Sequence, residues 1–186
     1  MYRLMIITAS TRDGRKGLPV ARWIEAEVGK DADWEIAPVD LKTINLPMLD
    51  EPEHPRLGNY RHAHTKAWSA MVDAADAFIL VTPEYNYFAP PAIINAIDYL
   101  SRERAYKPMA FVSYGGISGG TRAVQALKPL VTTVKIVPLP EAVSVPFFTQ
   151  SIDADDRFVA SKQNETAAQA MLAELKKWTI GLKAMR

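Results

Sequence analysis

Three short runs, "LMIITA" (4–9), "AFILVT" (77–82) and "PMAFVSY" (108–114), carry no charged side chain. A strand that is apolar on both faces needs cover on both faces, and this describes the middle of a parallel sheet packed between helices. Two further runs read as strands, "WEIAPVDL" (34–41) and "VKIVPL" (134–139). Pro38 inside the first of these predicts an edge position, because proline cannot donate to a ladder.

Between the strands lie amphipathic stretches. "GLPVARWIEAEVGK" (17–30) places Val20, Ile24 and Val28 four apart, with Pro19 in the first turn. "NYRHAHTKAWSAMVDAA" (59–75) reads as a helix with Ala67, Met71 and Ala74 on one face and Trp68 beside them. A third helix is expected from Pro90 or Pro91 to about Ser101, and a fourth in "GGTRAVQALKPLV" (119–131). In the last, "NETAAQAMLAELKKWTIGLKAM" (164–185), positions 168, 171, 172, 175, 179 and 182 form an apolar stripe. A loop rich in proline and charge (42–58) is long enough to suggest a functional or contact role, and 141 to about 160 reads as irregular.

Alternating strands and helices without repeat or linker predict one domain, residues 1–186, an α/β three-layer sandwich. Five strands favour the flavodoxin-like sheet order 2-1-3-4-5. In that order the topological switch falls between strands one and three, where ligands sit at strand C-termini. The 22 Lys and Arg against 21 Asp and Glu offer no electrostatic footprint for nucleic acid or an anionic membrane. With no cysteine, disulfides and thiolate catalysis are excluded. No run reaches the ~18 apolar residues of a membrane span. "MYRLMIITAS" has no leader pattern, so a cytoplasmic protein is expected.

Three loops then carry the chemistry. "ASTRDGRKG" (9–17) offers two hydroxyls, two arginines and the start of a helix, a donor set suited to phosphate or to a plain capped turn. It is neither a Walker loop nor G-x-G-x-x-G, and no acid ends strand one to hold a metal. In "PEYNYFAPP" (83–91) prolines stiffen both ends of a segment whose amides and tyrosines suit the edge and face of a flat ring. "SYGGISGGTRA" (113–123) lets backbone approach a ligand closely and fits as a third wall. His62 and His64, two apart on an expected helix, should point in different directions and make a poor metal pair. With His54 they read as surface residues, and no metal site is expected. Trp68, Phe147 and Phe148 read as core packing or as closing a site across a dimer.

In order on this fold, "STRDGR", "PEYNYFAPPAIINAID" and "SYGGISGGTRA" resemble the NAD(P)H-dependent FMN reductase family, flavodoxin-like flavoproteins that include quinone, azo-dye and chromate reductases. The register is clear over residues 1 to about 135. The resemblance implies bound FMN, NADPH or NADH as co-substrate, a flat small-molecule acceptor such as a quinone or free flavin, and a homodimer or dimer of dimers. It implies Ser10 and Arg12 on the phosphate, with Arg15 at a position that is serine in one branch and arginine in another. Pro83, Glu84, Tyr85 and Asn86 would line the isoalloxazine, mostly through backbone, and Ser113, Tyr114, Gly115 and Gly116 would border its pyrimidine end. No protein group would be catalytic in its own right, since the chemistry belongs to the cofactor. Ala9 replaces the usual first-loop glycine and Ile94 the usual lysine. An FMN-binding electron carrier or redox sensor is the alternative on the same loops.

Overall fold

A computed structural model describes residues 1–186. The elements run β1 (Tyr2–Thr8), α1 (Gly17–Val28), β2 (Trp34–Asp40), α2 (Leu41–Ile44), α3 (Ala63–Ala74), β3 (Ala77–Pro83), α4 (Pro91–Asp98), β4 (Pro108–Tyr114), α5 (Thr121–Thr133), β5 (Val137–Val145) and α6 (Lys162–Lys183). Short 3-10 turns sit at Pro55–Leu57 and Phe148–Ser151. All five strands are parallel, in the order β2-β1-β3-β4-β5. No helix is long and apolar enough to cross a membrane.

Alternation within the uncharged strands explains the layers, since successive side chains leave a strand on opposite faces. Met5, Ile7, Phe78, Leu80 and Phe111 join Trp68, Val72, Ile93 and Leu127 in one core beneath α3, α4 and α5. Leu4, Ile6, Ile79, Val81 and Val112 join Val20, Ile24, Met171 and Leu175 in the other, beneath α1 and α6. Each buried aliphatic side chain contributes roughly 1.5–3 kcal/mol relative to exposure, so two filled faces give the sheet a fixed register.

Several expectations change. In α3 the buried face is Thr65, Trp68 and Val72, while Ala67 and Ala74 face solvent and Met71 is half-buried. Alanine suits either face of a helix, and the larger Trp68, whose indole donates to the Ala96 carbonyl at 2.9 Å, decides the rotation. α4 ends at Asp98 rather than Ser101. β5 starts later than expected and runs on to Val145, through a register shift opposite Met109–Phe111 that absorbs Pro140. A bulge on an edge strand tolerates proline where a regular ladder would not. The 42–58 loop holds α2 and the first 3-10 turn.

Candidate active site

The parallel register delivers the three loops to one edge of the sheet. Thr8 pairs with Val81, Pro83 with Tyr114, and Tyr114 with Val145, so the chain leaves β1, β3 and β4 side by side. Backbone bonds link them further. The Ala9 amide donates to Val81 O at 3.0 Å, that of Glu84 to Tyr114 O at 3.2 Å, and that of Gly115 to Val145 O at 3.2 Å.

The first loop leaves a run of its backbone donors without partners. None of the amides of Ser10, Thr11, Arg12, Asp13 and Gly14 makes a hydrogen bond within the protein, and α1 begins without a side-chain cap. Unpaired amides beside the positive end of a helix form an anion cradle. Arg12 is exposed and makes no ion pair, so its guanidinium is available. Arg15 is engaged differently: it is paired with Asp40 at the end of β2, with its Nε buried and unpartnered. The structure thus separates the two arginines, one free and one held by a carboxylate.

Ser10 is buried, its hydroxyl 2.7 Å from Tyr85 Oη. Tyr114 reaches the same place from β4, with its hydroxyl against Gly17. A Cβ at Gly17 would come within 2.5 Å of that oxygen. Burial, followed by neighbouring Tyr85, pushes the Tyr114 phenol above the ordinary tyrosine range despite a bond from Ser10. Tyr114 therefore stays protonated and can donate, and it is no base. Phe148 packs on its ring at 4.9 Å between centroids.

The stretch "YNYF" is a two-residue turn. Tyr85 and Phe88 exchange both backbone bonds, at 2.8 and 2.9 Å, with Asn86 at φ 49 and Tyr87 at φ 69. Positive φ at both central residues matches a type I′ turn, the tight two-residue connection whose twist suits the chain on either side. Pro83 closes β3 and is buried.

Glu84 is not a solvated charge. Its side chain is 8% exposed and accepts from Ser118 Oγ at 2.7 Å and from the Arg122 backbone and guanidinium, each at 3.2 Å. Burial, the largest influence, acts to raise its pKa. The bonds from Ser118 and Arg122, with the latter's charge, outweigh it and hold the carboxyl below the ordinary value of 4.5. Arg122 also covers the Tyr87 ring at 4.3 Å. One arginine thus ties the second loop to the third through a carboxylate and an aromatic face. Ser113 turns its hydroxyl inward to Gly119 O at 2.9 Å, so only its backbone is free to face a ligand. Gly115 and Gly116 accept from the amides of Phe148 and Phe147, at 3.2 and 2.9 Å.

Three participants escape sequence reading: Gly17, Ser118 and Arg122. The last two lie 34 and 38 residues from Glu84, and no spacing rule pairs them. The histidines differ from expectation too. α3 starts after His62, which precedes its first turn, so the rings of His62 and His64 stack at 5.2 Å instead of diverging. His64 binds Asp50 at 3.0 Å, and no group of three or more His, Asp or Glu side chains could hold a metal. A cavity of about 830 Å³ lies apart from all three loops, between the 49–56 strap, the α4–β4 connection and the end of α5. Convergence of free donors, rather than cavity size, marks the site.

A family model for NADPH-dependent FMN reductase matches residues 2–150. An NAD(P)H-dependent FMN reductase of Schizosaccharomyces pombe is 38% identical over 149 residues, 77% of this chain and 74% of the relative. A quinone reductase of Escherichia coli is 38% identical over 74 residues, 37% of this chain and 39% of that enzyme. Among solved structures, FerB, a flavoenzyme NAD(P)H:(acceptor) oxidoreductase from Paracoccus denitrificans, superposes with a TM-score of 0.75 at 20% identity. The match covers 97% of this chain and 98% of that one.

Proposed function

The chain belongs to the NADPH-dependent FMN reductase family and is a flavin-dependent oxidoreductase, and from that premise we propose how its own residues serve the reaction. The FMN phosphate sits in the first loop, on the amides of residues 10–14 and the Arg12 guanidinium. What carries this reading is that these five amides and this arginine have no other partner. The ring rests on the Pro83–Asn86 backbone and against Ser113–Gly116. FMN, when bound, would supply two-electron redox chemistry between NAD(P)H and a flat acceptor such as a quinone. Tyr85, Ser10 and Tyr114 hold the loops at a fixed spacing under the ring. The Glu84–Arg122 clamp keeps the second wall from opening.

Large apolar side chains ring the same edge: Tyr87, Phe88, Ile117 and Phe147 are all exposed. Such a rim favours a homodimer in which a second copy covers the site.

Two measurements test the proposal. The first is the visible spectrum of FMN-loaded protein without oxygen, before and after NADPH. Rapid bleaching is expected, and a bound flavin that stays oxidised with both NADPH and NADH would instead make the protein a carrier or sensor. The second is FMN titration of Arg12→Ala. Loss of one charge-assisted partner should weaken binding by roughly 1–3 kcal/mol. An unchanged dissociation constant would move the phosphate out of this loop.

A further inference from the structure

The cavity of about 830 Å³ lies at the opposite end of the sheet from the three loops. Two of its walls are connections that enter strands, α4 to β4 (99–107) and α5 to β5 (134–136), whereas the three loops leave strands at their C-termini. β4 alone is seven residues long, so roughly 23 Å separates the two ends. The 49–56 strap supplies the remaining side. The volume falls within the roughly 300–1,000 Å³ range of small-molecule sites.

Its lining is basic. Arg56, Arg102, Arg104 and Lys135 contribute four cations against one carboxylate, that of Asp98. None of the four pairs with a carboxylate of the protein. Arg56, Arg102 and Lys135 are exposed, and the Lys135 ammonium has only Tyr106 Oη, at 3.5 Å, within reach. His54 Nδ1 accepts from the Arg56 amide at 3.1 Å, which places the ring proton on Nε2 as a further donor.

Arg104 differs from the others in being 3% exposed. Its terminal nitrogens donate to the Ile97 and Leu100 carbonyls, and its Nε is buried without a partner. Burial lowers its pKa to about 10, despite Glu103, Tyr60 and Asp98 nearby. Glu103 is itself engaged by Ser69 Oγ at 2.7 Å and by the Ser101 amide at 3.2 Å. A buried cation with no anion in contact is costly to hold, and an anion in the adjoining cavity offsets that cost.

Lys135 gives an independent sign. At the end of α5 its amide donates to Thr132 O at 2.9 Å, and the Ile136 amide donates to Val131 O at 3.0 Å. This is a Schellman motif, whose left-handed residue is usually glycine because a Cβ is strained there. Here that residue is Lys135, at φ 62, and its carbonyl accepts from the amide of Tyr106, itself at φ 59, at 2.8 Å. Folding alone favours glycine at this position. A lysine there gives up stability and places a cation at the cavity.

From this arrangement we infer that the cavity binds a small molecule carrying a chain of two or more phosphates. Arg56, Arg102, Lys135 and His54 hold the chain, and Arg104 adds a fixed charge behind it. The cations come from three separate segments around a wide space, so a chain of phosphates reaches them where a single oxyanion reaches one or two. Apolar Leu49, Leu100 and Val134 leave room for a nucleoside on that chain.

The test uses FMN-loaded protein, titrated calorimetrically with sodium tripolyphosphate, orthophosphate and ATP. Tripolyphosphate is expected to bind and to shift the methyl resonances of Ala105 and Val134 in step, with orthophosphate far weaker. Arg56→Gln and Arg102→Gln should each raise the tripolyphosphate dissociation constant about tenfold, the equivalent of one charge-assisted hydrogen bond. Lys135→Gly should raise it likewise without lowering the urea midpoint, since glycine relieves the left-handed backbone. The rate of flavin reduction by NADPH should stay the same in all three variants, because none touches the three loops. Equal affinities for ATP and tripolyphosphate would show that only the chain is read, and tighter ATP that a nucleoside is read too. The site stands in both cases. No binding of tripolyphosphate, unshifted Ala105 and Val134, or unaltered affinity in the three variants would overturn the assignment. So would dissociation of an oligomer on titration, read by sedimentation, which would give the cavity to an acidic segment of a second copy.

Discussion

Gly120→Val is expected to cost about 4 kcal/mol, from roughly 1–2 for the left-handed backbone of a side-chain-bearing residue and 1–3 for overpacking. Gly120 precedes α5 at φ 84. A Cβ there would lie 2.7 Å from Ser113 Cβ, 2.8 Å from the Tyr114 nitrogen and 3.0 Å from the Tyr114 oxygen. Two of those three atoms are backbone at the end of a central strand, so no flexible side chain can yield. Strain must move β4's end or the loop itself, and both belong to the third wall. A domain of ordinary stability, about 5–15 kcal/mol, would survive such a loss only with a lowered midpoint. Urea denaturation should show that lowered midpoint, together with poor FMN retention, while Gly116→Val serves as contrast because its Cβ meets nothing within 4 Å. Equal midpoints for the two variants would mean that the third loop adjusts freely and is no rigid wall.

What could be read from the chain alone follows from the range of the interactions involved. The uncharged strands 77–82 and 108–114 declare a sheet covered on both faces, because burial of both sides of a strand is a local property of its residues. Edge placement of β2 follows from one proline. The face of α3 was not legible, since Ala67 and Ala74 fit water as well as core, and Trp68 finds its acceptor on Ala96, 28 residues away. The stacking of His62 on His64 is illegible for a related reason. Whether they diverge depends on where the helix begins, and a difference of a single turn reverses the answer. The site divides in the same way. Ser10 and Arg12 stand in a contiguous motif, legible without the fold. The closure of Glu84 by Ser118 and Arg122, and the room that Gly17 makes for Tyr114, depend on the folded sheet bringing three loops together.

Glu84→Ala tests that closure most sharply. The carboxylate accepts three hydrogen bonds from one loop and one helix start, and its removal strands the Ser118 hydroxyl and the Arg122 amide. Bonds to an ionised acceptor are worth about 1.5–3 kcal/mol each. They are not additive, and the half-exposed guanidinium recovers water, so a total near 3 kcal/mol is expected, shared between stability and FMN affinity. Glu84→Gln keeps an acceptor for Ser118 and should lose less. The two variants also make a pH prediction whose sign is fixed. Because the folded carboxyl titrates below the ordinary value of 4.5, the unfolded chain binds the extra proton first as pH falls. Its stabilisation is therefore complete above the unfolded value and disappears as pH drops through the folded one. Denaturation midpoints measured between about pH 3 and 6 should thus fall more steeply for the wild type than for Glu84→Gln. Parallel curves would mean that Glu84 is free in solution, and the tie between the second and third loops would have to be carried by Arg122 on Tyr87 alone.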